Sequence, residues 1–440
     1  MMKKFVTSIL VGLALCSGLV ARERNEILKV YNWSDYIAEG VIEEFEQWYH
    51  EQTGESVEVV YMTFDVNEAM LSKIENGHED YDVVCPSDYI IERMLNSGLL
   101  LPLDFKSLGS TPNYIEANRS PYISKIFSEI NPSIDANDYS VAYMWGTTGI
   151  IYNTAFVTRE EASTWDIIRS PKFAGKILIK DAPRDVYGPI LIYLRQNELK
   201  SGAVTLQDLM HDSSDESLAE VKQYLLQVKP GVCGWEADLG KEQMTKNRAY
   251  VSLNWSGDAV WAIEEAASVG VSLDYVVPDE GSTVWFDGWV IPKYAKNTKA
   301  ATYWINFMSR PDIAIRNMDE TGYVASCGAP EVLESLIDEE NFEPIDLSYF
   351  FGEGAESVCV DPLIFPDRAV VERCALEHDW GEDTAKLLSM WQDVKGSQAN
   401  LWTYLVIIVV LVAIGVYFVY TAYHKRSRRR RSRSRARRRK

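Results

Sequence analysis

Apolar residues recur along this chain with two periods, and the periods alternate. Residues 27–31 form a short apolar run. Residues 41–51 carry apolar side chains at helical spacing, with Phe45 and Trp48 on one side, and 55–62 alternate as a half-buried strand does. Helical spacing returns over 67–76, and 81–85 form a second apolar run. Strand, helix, strand, helix, strand in this order predicts a parallel sheet with helices on its faces. Ligands of such open sheets bind beyond the carboxyl ends of the strands. Trp33-Ser34-Asp35-Tyr36 and Ser87-Asp88-Tyr89 fall at two such ends.

A second unit follows. Strand-like runs cover 140–152 around Gly146 and Gly149, and a boundary at Ser170-Pro171 precedes another strand over 176–179. Helical patterns run over 186–196 and 218–228, and strands over 250–253 and 273–277. The run Phe286 to Pro292 comes next, and helices are expected over 300–308 and 311–318. The last helix should end near Val394, and 396–400 read as a short linker. At 440 residues the chain exceeds one compact core of ordinary size, so two lobes are expected.

The two ends differ from the body. Lys3 and Lys4 precede an apolar stretch over 5–15, too short to span a bilayer, which reads as a signal peptide cleaved after Ala21. Leu13-Ala14-Leu15-Cys16 resembles a lipobox, with Leu15 where a small residue is expected. Residues 401–423 contain no charge and are rich in Val, Ile and Leu, long enough for a tilted transmembrane helix. The basic tail 424–440 follows at once. The positive-inside rule keeps it in the cytoplasm and places the body outside the inner membrane.

Charge sharpens this picture. The formal net charge is −20, but twelve of the 44 basic residues lie in the tail and two in the leader. Thirty then face 64 acidic residues over 22–400, a net of −34. Such a body repels nucleic-acid phosphates and attracts cations. Of six cysteines, five follow Ala21, and none forms a CxxC pair. Cys359 and Cys374 are close enough in sequence to pair, and spacing alone does not decide it. The five histidines are scattered, so neither a metal nor another cofactor is expected.

The candidate chemistry lies in runs that place an aromatic beside a carboxylate or hydroxyl. They are Tyr31-Asn32-Trp33-Ser34-Asp35-Tyr36, Pro86-Ser87-Asp88-Tyr89, Asn254-Trp255-Ser256-Gly257-Asp258 and Val284-Trp285-Phe286-Asp287-Gly288-Trp289. Aromatic faces attract cations and cover apolar stems, and carboxylates pair with ammonium groups. A pocket built this way suits a flexible organic cation with methylene segments.

These runs, in this order, resemble the bacterial periplasmic spermidine/putrescine-binding proteins, the substrate-binding subunits of polyamine ABC importers. Further marks are Val30-Tyr31-Asn32-Trp33-Ser34-Asp35-Tyr36, Tyr81-Asp82-Val83-Val84-Cys85-Pro86-Ser87-Asp88-Tyr89 and Tyr143-Met144-Trp145-Gly146-Thr147-Thr148-Gly149. Ile305-Asn306-Phe307-Met308-Ser309-Arg310-Pro311 and Thr321-Gly322-Tyr323 complete the set, and the resemblance covers roughly 27–394. It implies an α/β, two-lobe periplasmic-binding-protein fold of type II-like form, with hinge strands crossing near 138–144 and 274–285. Lobe one would then comprise 27–138 and 281–330, lobe two 139–280, with a C-terminal helical part over 331–396.

The resemblance also implies a pocket of Trp33, Ser34, Asp35, Tyr36, Ser87, Tyr89, Asp181, Asp185, Trp255, Trp285, Asp287 and Tyr323. Glu377 falls near a position where some relatives carry Gln, which leaves its role open. Asp181-Ala182-Pro183-Arg184-Asp185 is one residue longer than the spermidine-preferring pattern. The implied partners are putrescine or spermidine, the permease subunits of an ABC importer and, through 401–423, the inner membrane. That span departs from the usual family layout, in which the binding protein is free in the periplasm or lipid-anchored. Two other readings remain at this point. A membrane-tethered sensor would need a partner chain, because the tail holds no signalling domain. An enzyme using Cys85 would lack a histidine in the matched runs.

Overall fold

Strand β1 (Ile27–Trp33) lies between β2 (Glu58–Phe64) and β3 (Val83–Val84), parallel to both. Helix α1 (Val41–Thr53) connects β1 to β2, and α2 (Asn67–Glu75) connects β2 to β3. Helix α1 buries Val41, Phe45, Trp48 and Tyr49, a stripe at helical period that covers the sheet. It stops at Gly54, whose φ of 73° lets its N–H reach the His50 carbonyl at 2.8 Å. This is the parallel arrangement expected from the alternating periods. A computed structural model describes residues 23–236 and 240–396. The leader with Cys16, the apolar stretch 401–423 and the basic tail lie outside the described residues. Among the described residues no helix is long and apolar enough to cross a membrane.

Helix α3 (Asp88–Asn96) begins directly after β3. Strand β4 is one continuous element, Ser140–Asn153, where the pattern predicted separate runs. Next come β5 (Ile177–Lys180), helix α4 (Pro183–Leu194), β6 (Val232–Glu236) and β7 (Val251–Trp255). Helix α5 (Ser256–Ser268), β8 (Leu273–Val276), β9 (Ser282–Pro292) and β10 (Cys374–Leu376) follow. The main path across the sheet is β2-β1-β3-β9-β4-β7-β5-β6.

Strand β4 serves both halves of that path. Its first half pairs antiparallel with β9, from Ser140 opposite Val290 to Thr147 opposite Val284. Its second half pairs with β7, from Thr148 opposite Trp255, and with β8. The partner change at Thr147–Thr148 marks where the sheet passes from one lobe to the other. The described residues up to Leu388 pack as one unit that holds both lobes.

Some elements start elsewhere than the pattern predicts. Helix α4 begins three residues before the expected 186, because Pro183 is preorganised for a first helical position. The run 81–85 narrows to Val83–Val84, since β3 meets β1 only at Val30 and Tyr31. Helix α5 was not anticipated, because Ser256-Gly257 masks its start. The possible Cys359–Cys374 pair does not form, and all five described cysteines are free thiols.

Trp145 of β4, 1% exposed, stacks on Phe286 of β9 and on Phe350 at centroid distances of 5.7 and 5.4 Å. It therefore ties the shared strand to the C-terminal segment. Truncation should leave a large cavity at this junction. Trp145→Ala is expected to lower unfolding stability by about 3–5 kcal/mol in denaturant titration.

Candidate ligand-binding cleft

The cleft is organised by an irregularity in β9. Its register against β4 shifts between Asp287 and Gly288, a bulge that re-aims the side chain. The Gly288 N–H donates to the Pro86 carbonyl at 3.0 Å, and Asp287 forms an isolated bridge with Ser87. Asp287 Oδ2 accepts from the Tyr36 hydroxyl at 2.8 Å, and Oδ1 from Ser87 Oγ at 2.7 Å. Behind them Asn67 Nδ2 donates to Ser87 Oγ and to the Tyr89 hydroxyl, at 2.9 and 3.1 Å. The segments that follow β1 and β3 and the bulge in the middle of β9 thus converge on one carboxylate, 5% exposed. Burial pushes the Asp287 carboxyl up to about 6. Hydrogen bonds from Ser87 and Tyr36 oppose that rise, and the Asp185 charge adds to it.

Aromatic rings wall this group. Tyr36 meets Tyr323 edge-on at 5.1 Å, Tyr323 meets Trp285 at 5.7 Å, and Trp285 meets Trp255 at 6.3 Å. Two glycines make the wall possible. A Cβ on Gly146 would lie 2.6 Å from the Trp285 ring, and one on Gly257 2.3 Å from the Tyr323 ring. Both distances are too short for any side chain at those positions.

The second lobe contributes charge from the ends of β5, β6 and β7. Asp185, in the first turn of α4, accepts from Trp255 Nε1 at 2.7 Å. Burial raises its carboxyl, against the pull of that indole and of the Lys180 charge. Lys180 Nζ lies 2.6 Å from Asp258 Oδ2 and 3.4 Å from Glu236 Oε1. Burial lowers the Lys180 ammonium, but the two carboxylates prevail and hold it above its ordinary value. The Tyr323 hydroxyl donates to the other Asp258 oxygen at 3.1 Å.

At the side facing α3, Arg184 lies over the Tyr89 ring at 4.3 Å and donates to the His378 carbonyl at 2.8 Å. Glu377 is buried nearby, and its Oε1 has no hydrogen-bond partner among the described residues. Burial, then the charges of Asp185 and Asp88, push its carboxyl well above the ordinary range.

Of the residues singled out in the sequence, Tyr36, Ser87, Tyr89, Asp185, Trp255, Trp285, Asp287, Tyr323 and Glu377 gather around this cleft. Trp33 stands half-buried at the end of β1, against Phe64 at 4.5 Å. Ser34 and Asp35 are not drawn in. Both are exposed, Ser34 Oγ donates to Asp65 at 3.0 Å, and Asp35 occupies a turn with φ of 52°. Asp181 is half-buried after β5, its N–H donating to the Glu236 carbonyl at 2.7 Å. Sequence reasoning missed Lys180, Arg184, Glu236 and Asp258 as members of the site. Asp258 already stood in an aromatic–acid run, and a lysine ending an otherwise apolar strand was a usable signal for Lys180.

Among the described residues no group of three or more His, Cys, Asp or Glu is arranged to hold a metal ion. Cys85 is fully buried and its thiol is pushed well up by that burial, which suits a small core residue rather than a nucleophile.

Residues 41–334 match the family described as bacterial extracellular solute-binding protein. The chain is 30% identical to the putrescine-binding periplasmic protein PotF of Escherichia coli (strain K12), over 78% of this chain and 91% of that one. It is 26% identical to the spermidine/putrescine-binding periplasmic protein of Salmonella typhimurium, over 90% of this chain and 100% of that one. Among solved structures, the spermidine/putrescine ABC transporter substrate-binding protein PotD of Streptococcus pneumoniae superposes with a TM-score of 0.61. It shares 30% identity and covers 84% of this chain and 98% of its own.

The raised Asp287 carboxyl gives two pH signatures of opposite sign. An acid whose folded-state value exceeds its unfolded value of about 3.9 binds more protons when folded. Its contribution to stability is therefore fullest below about pH 4 and is lost as pH rises through about 6. Relative to Asp287→Asn, the ligand-free protein should gain up to about 3 kcal/mol between those limits. A cationic ligand should instead bind more weakly as pH falls below about 6. Denaturant titrations of both proteins across this window, with calorimetry of the ligand, measure the two slopes. A flat stability difference contradicts the assignment.

Proposed function

The chain belongs to the bacterial extracellular solute-binding proteins, and from that premise we propose that it captures a polyamine, putrescine or spermidine, for delivery to an ABC importer. The observation that carries the reading is Asp287, an acid buried between hydroxyl donors and walled by aromatic rings. An ammonium entering the cleft replaces the lost water of this carboxylate with a charge-assisted hydrogen bond. Trp33, Tyr36, Tyr89, Trp255, Trp285 and Tyr323 then cover the methylene stem, with Asp185 as a second acidic pole. Glu377, whose Oε1 has no hydrogen-bond partner among the described residues, offers a further polar contact at the Arg184 side. The family binds its solute and carries out no chemical step on it, which sets aside an enzyme built on Cys85.

The site residues come from both lobes, so binding is coupled to closure about the strands that join them. The crossings near 138–144 and 274–285 are the proposed hinge. Closure would be driven by contacts between the lobes, of which the Tyr323 hydroxyl on Asp258 is one. We place the body in the periplasm and assign 401–423 as its anchor in the inner membrane, with the basic tail inside. Deleting 397–440 should release an exported, soluble body. Retention on membranes after salt washing would shift the anchor to a lipid on Cys16.

Calorimetry with putrescine, cadaverine, spermidine and spermine tests the ligand class. Asp287→Asn keeps the shape and removes the charge. It should weaken polyamine binding by about 2–4 kcal/mol, roughly 30- to 1000-fold in Kd. A change below about threefold would rule out Asp287 as the anchor.

A further inference from the structure

We propose that Lys180 is a resident ammonium occupying one amine position of the cleft, and that it makes this protein select a diamine over a triamine. The inference rests on the polyamine reading and adds a specificity-determining residue to it.

Lys180 ends β5 with 2% of its surface exposed. Its Nζ lies 4.0 Å over the Trp255 ring, 2.6 Å from Asp258 and 3.4 Å from Glu236. A cation on an indole face with a carboxylate beside it is the environment that a ligand ammonium needs. The chain supplies that cation itself. The position belongs to the cleft and not to a separate core, because its neighbours are shared with the cleft. The Trp255 face carries Lys180 while its N–H donates to Asp185 at 2.7 Å. Asp258 accepts from Lys180 on one oxygen and from Tyr323 of the aromatic wall on the other.

The charges around the cleft point the same way. Lys180 sits between Asp258 and Glu236, and Asn254 Nδ2 also donates to Glu236 at 2.7 Å. Asp88 accepts the backbone N–H groups of Phe286 and Tyr89, at 3.0 and 2.6 Å, and serves to hold β9 against α3. Glu377 has Arg184 beside it. Asp287 accepts from hydroxyl donors, and Asp185 accepts from an indole and lies within reach of the Lys180 and Arg184 charges, without a direct ion pair to either among the described residues. Two such acids match two ammonium groups. A third would approach Lys180 in a water-poor site, where like charges repel strongly.

The test is calorimetry of putrescine and spermidine on the full chain, in detergent at fixed low salt. The wild type should bind putrescine tighter than spermidine by about tenfold or more. Lys180→Met keeps the stem and removes the cation, and should shift the ratio toward spermidine by at least about tenfold. Lys180→Arg should keep the wild-type ratio. If Lys180→Met does not fold, the double variant Lys180→Met/Asp258→Asn removes both members of the pair. It should still shift the ratio toward spermidine by about threefold or more, since the repelling charge is gone. Wild-type preference for spermidine, or a ratio unmoved by removal of the Lys180 charge, overturns the inference and leaves the polyamine reading standing. Binding of neither amine by the wild type overturns both.

Discussion

The antiparallel pairing of β4 with β9 carries most of the remaining architecture. From Ser140–Val290 to Thr147–Val284 it forms the middle of the sheet, and beyond Thr147 the same strand runs between β7 and β8. One strand thus serves two lobes, and residues hung on it or beside it face a common cleft. The register shift at Asp287–Gly288 interrupts this pairing at the point where a carboxylate must turn out of the sheet. Trp145 and Phe286, stacked on adjacent strands, stabilise the junction from the other face.

A second constraint follows from burial. The cleft holds Asp287, Asp185, Asp258, Glu236 and Glu377 within a region of low water content, and ionised carboxylates are unfavourable there unless paired. The chain meets this in three ways. Hydroxyl and indole donors reach Asp287 and Asp185, Lys180 lies between Asp258 and Glu236, and burial with nearby acids shifts the Glu377 carboxyl toward its protonated form. The first group stays poised for an incoming cation. The charge available to a cation is then the charge that burial disfavours.

Much of the fold was legible in the pattern of apolar residues. The alternation over 27–85 gave β1, α1, β2 and α2 within a few residues, since each must bury one face at its own period. The aromatic–acid runs pointed to Tyr36, Ser87 and Trp255, which end or follow strands, and to Trp285 and Asp287, which lie inside β9 beside its bulge. Ser34 and Asp35 share one of these runs and still face solvent. A turn at Asp35 rotates neighbouring side chains apart, and a run of letters does not record that rotation. Helix α5 stayed hidden because its first residues, Ser256-Gly257, read as a strand end. Gly257 is there to admit the Tyr323 ring, a neighbour 66 positions away in the chain.

The sequence by itself determined the alternating α/β order, the acidic character of the body and the residue types able to hold an organic cation. These follow from local periodicity and from composition, which need no knowledge of distant contacts. Only the tertiary structure decided which acids meet which donors. The bulge that aims Asp287, the aromatic wall that links Tyr36 to Trp255, and the place of Lys180 between Asp258 and Glu236 all join residues far apart in the chain. Their protonation and pairing depend on depth and distance, and those arise only once two lobes close on the same volume.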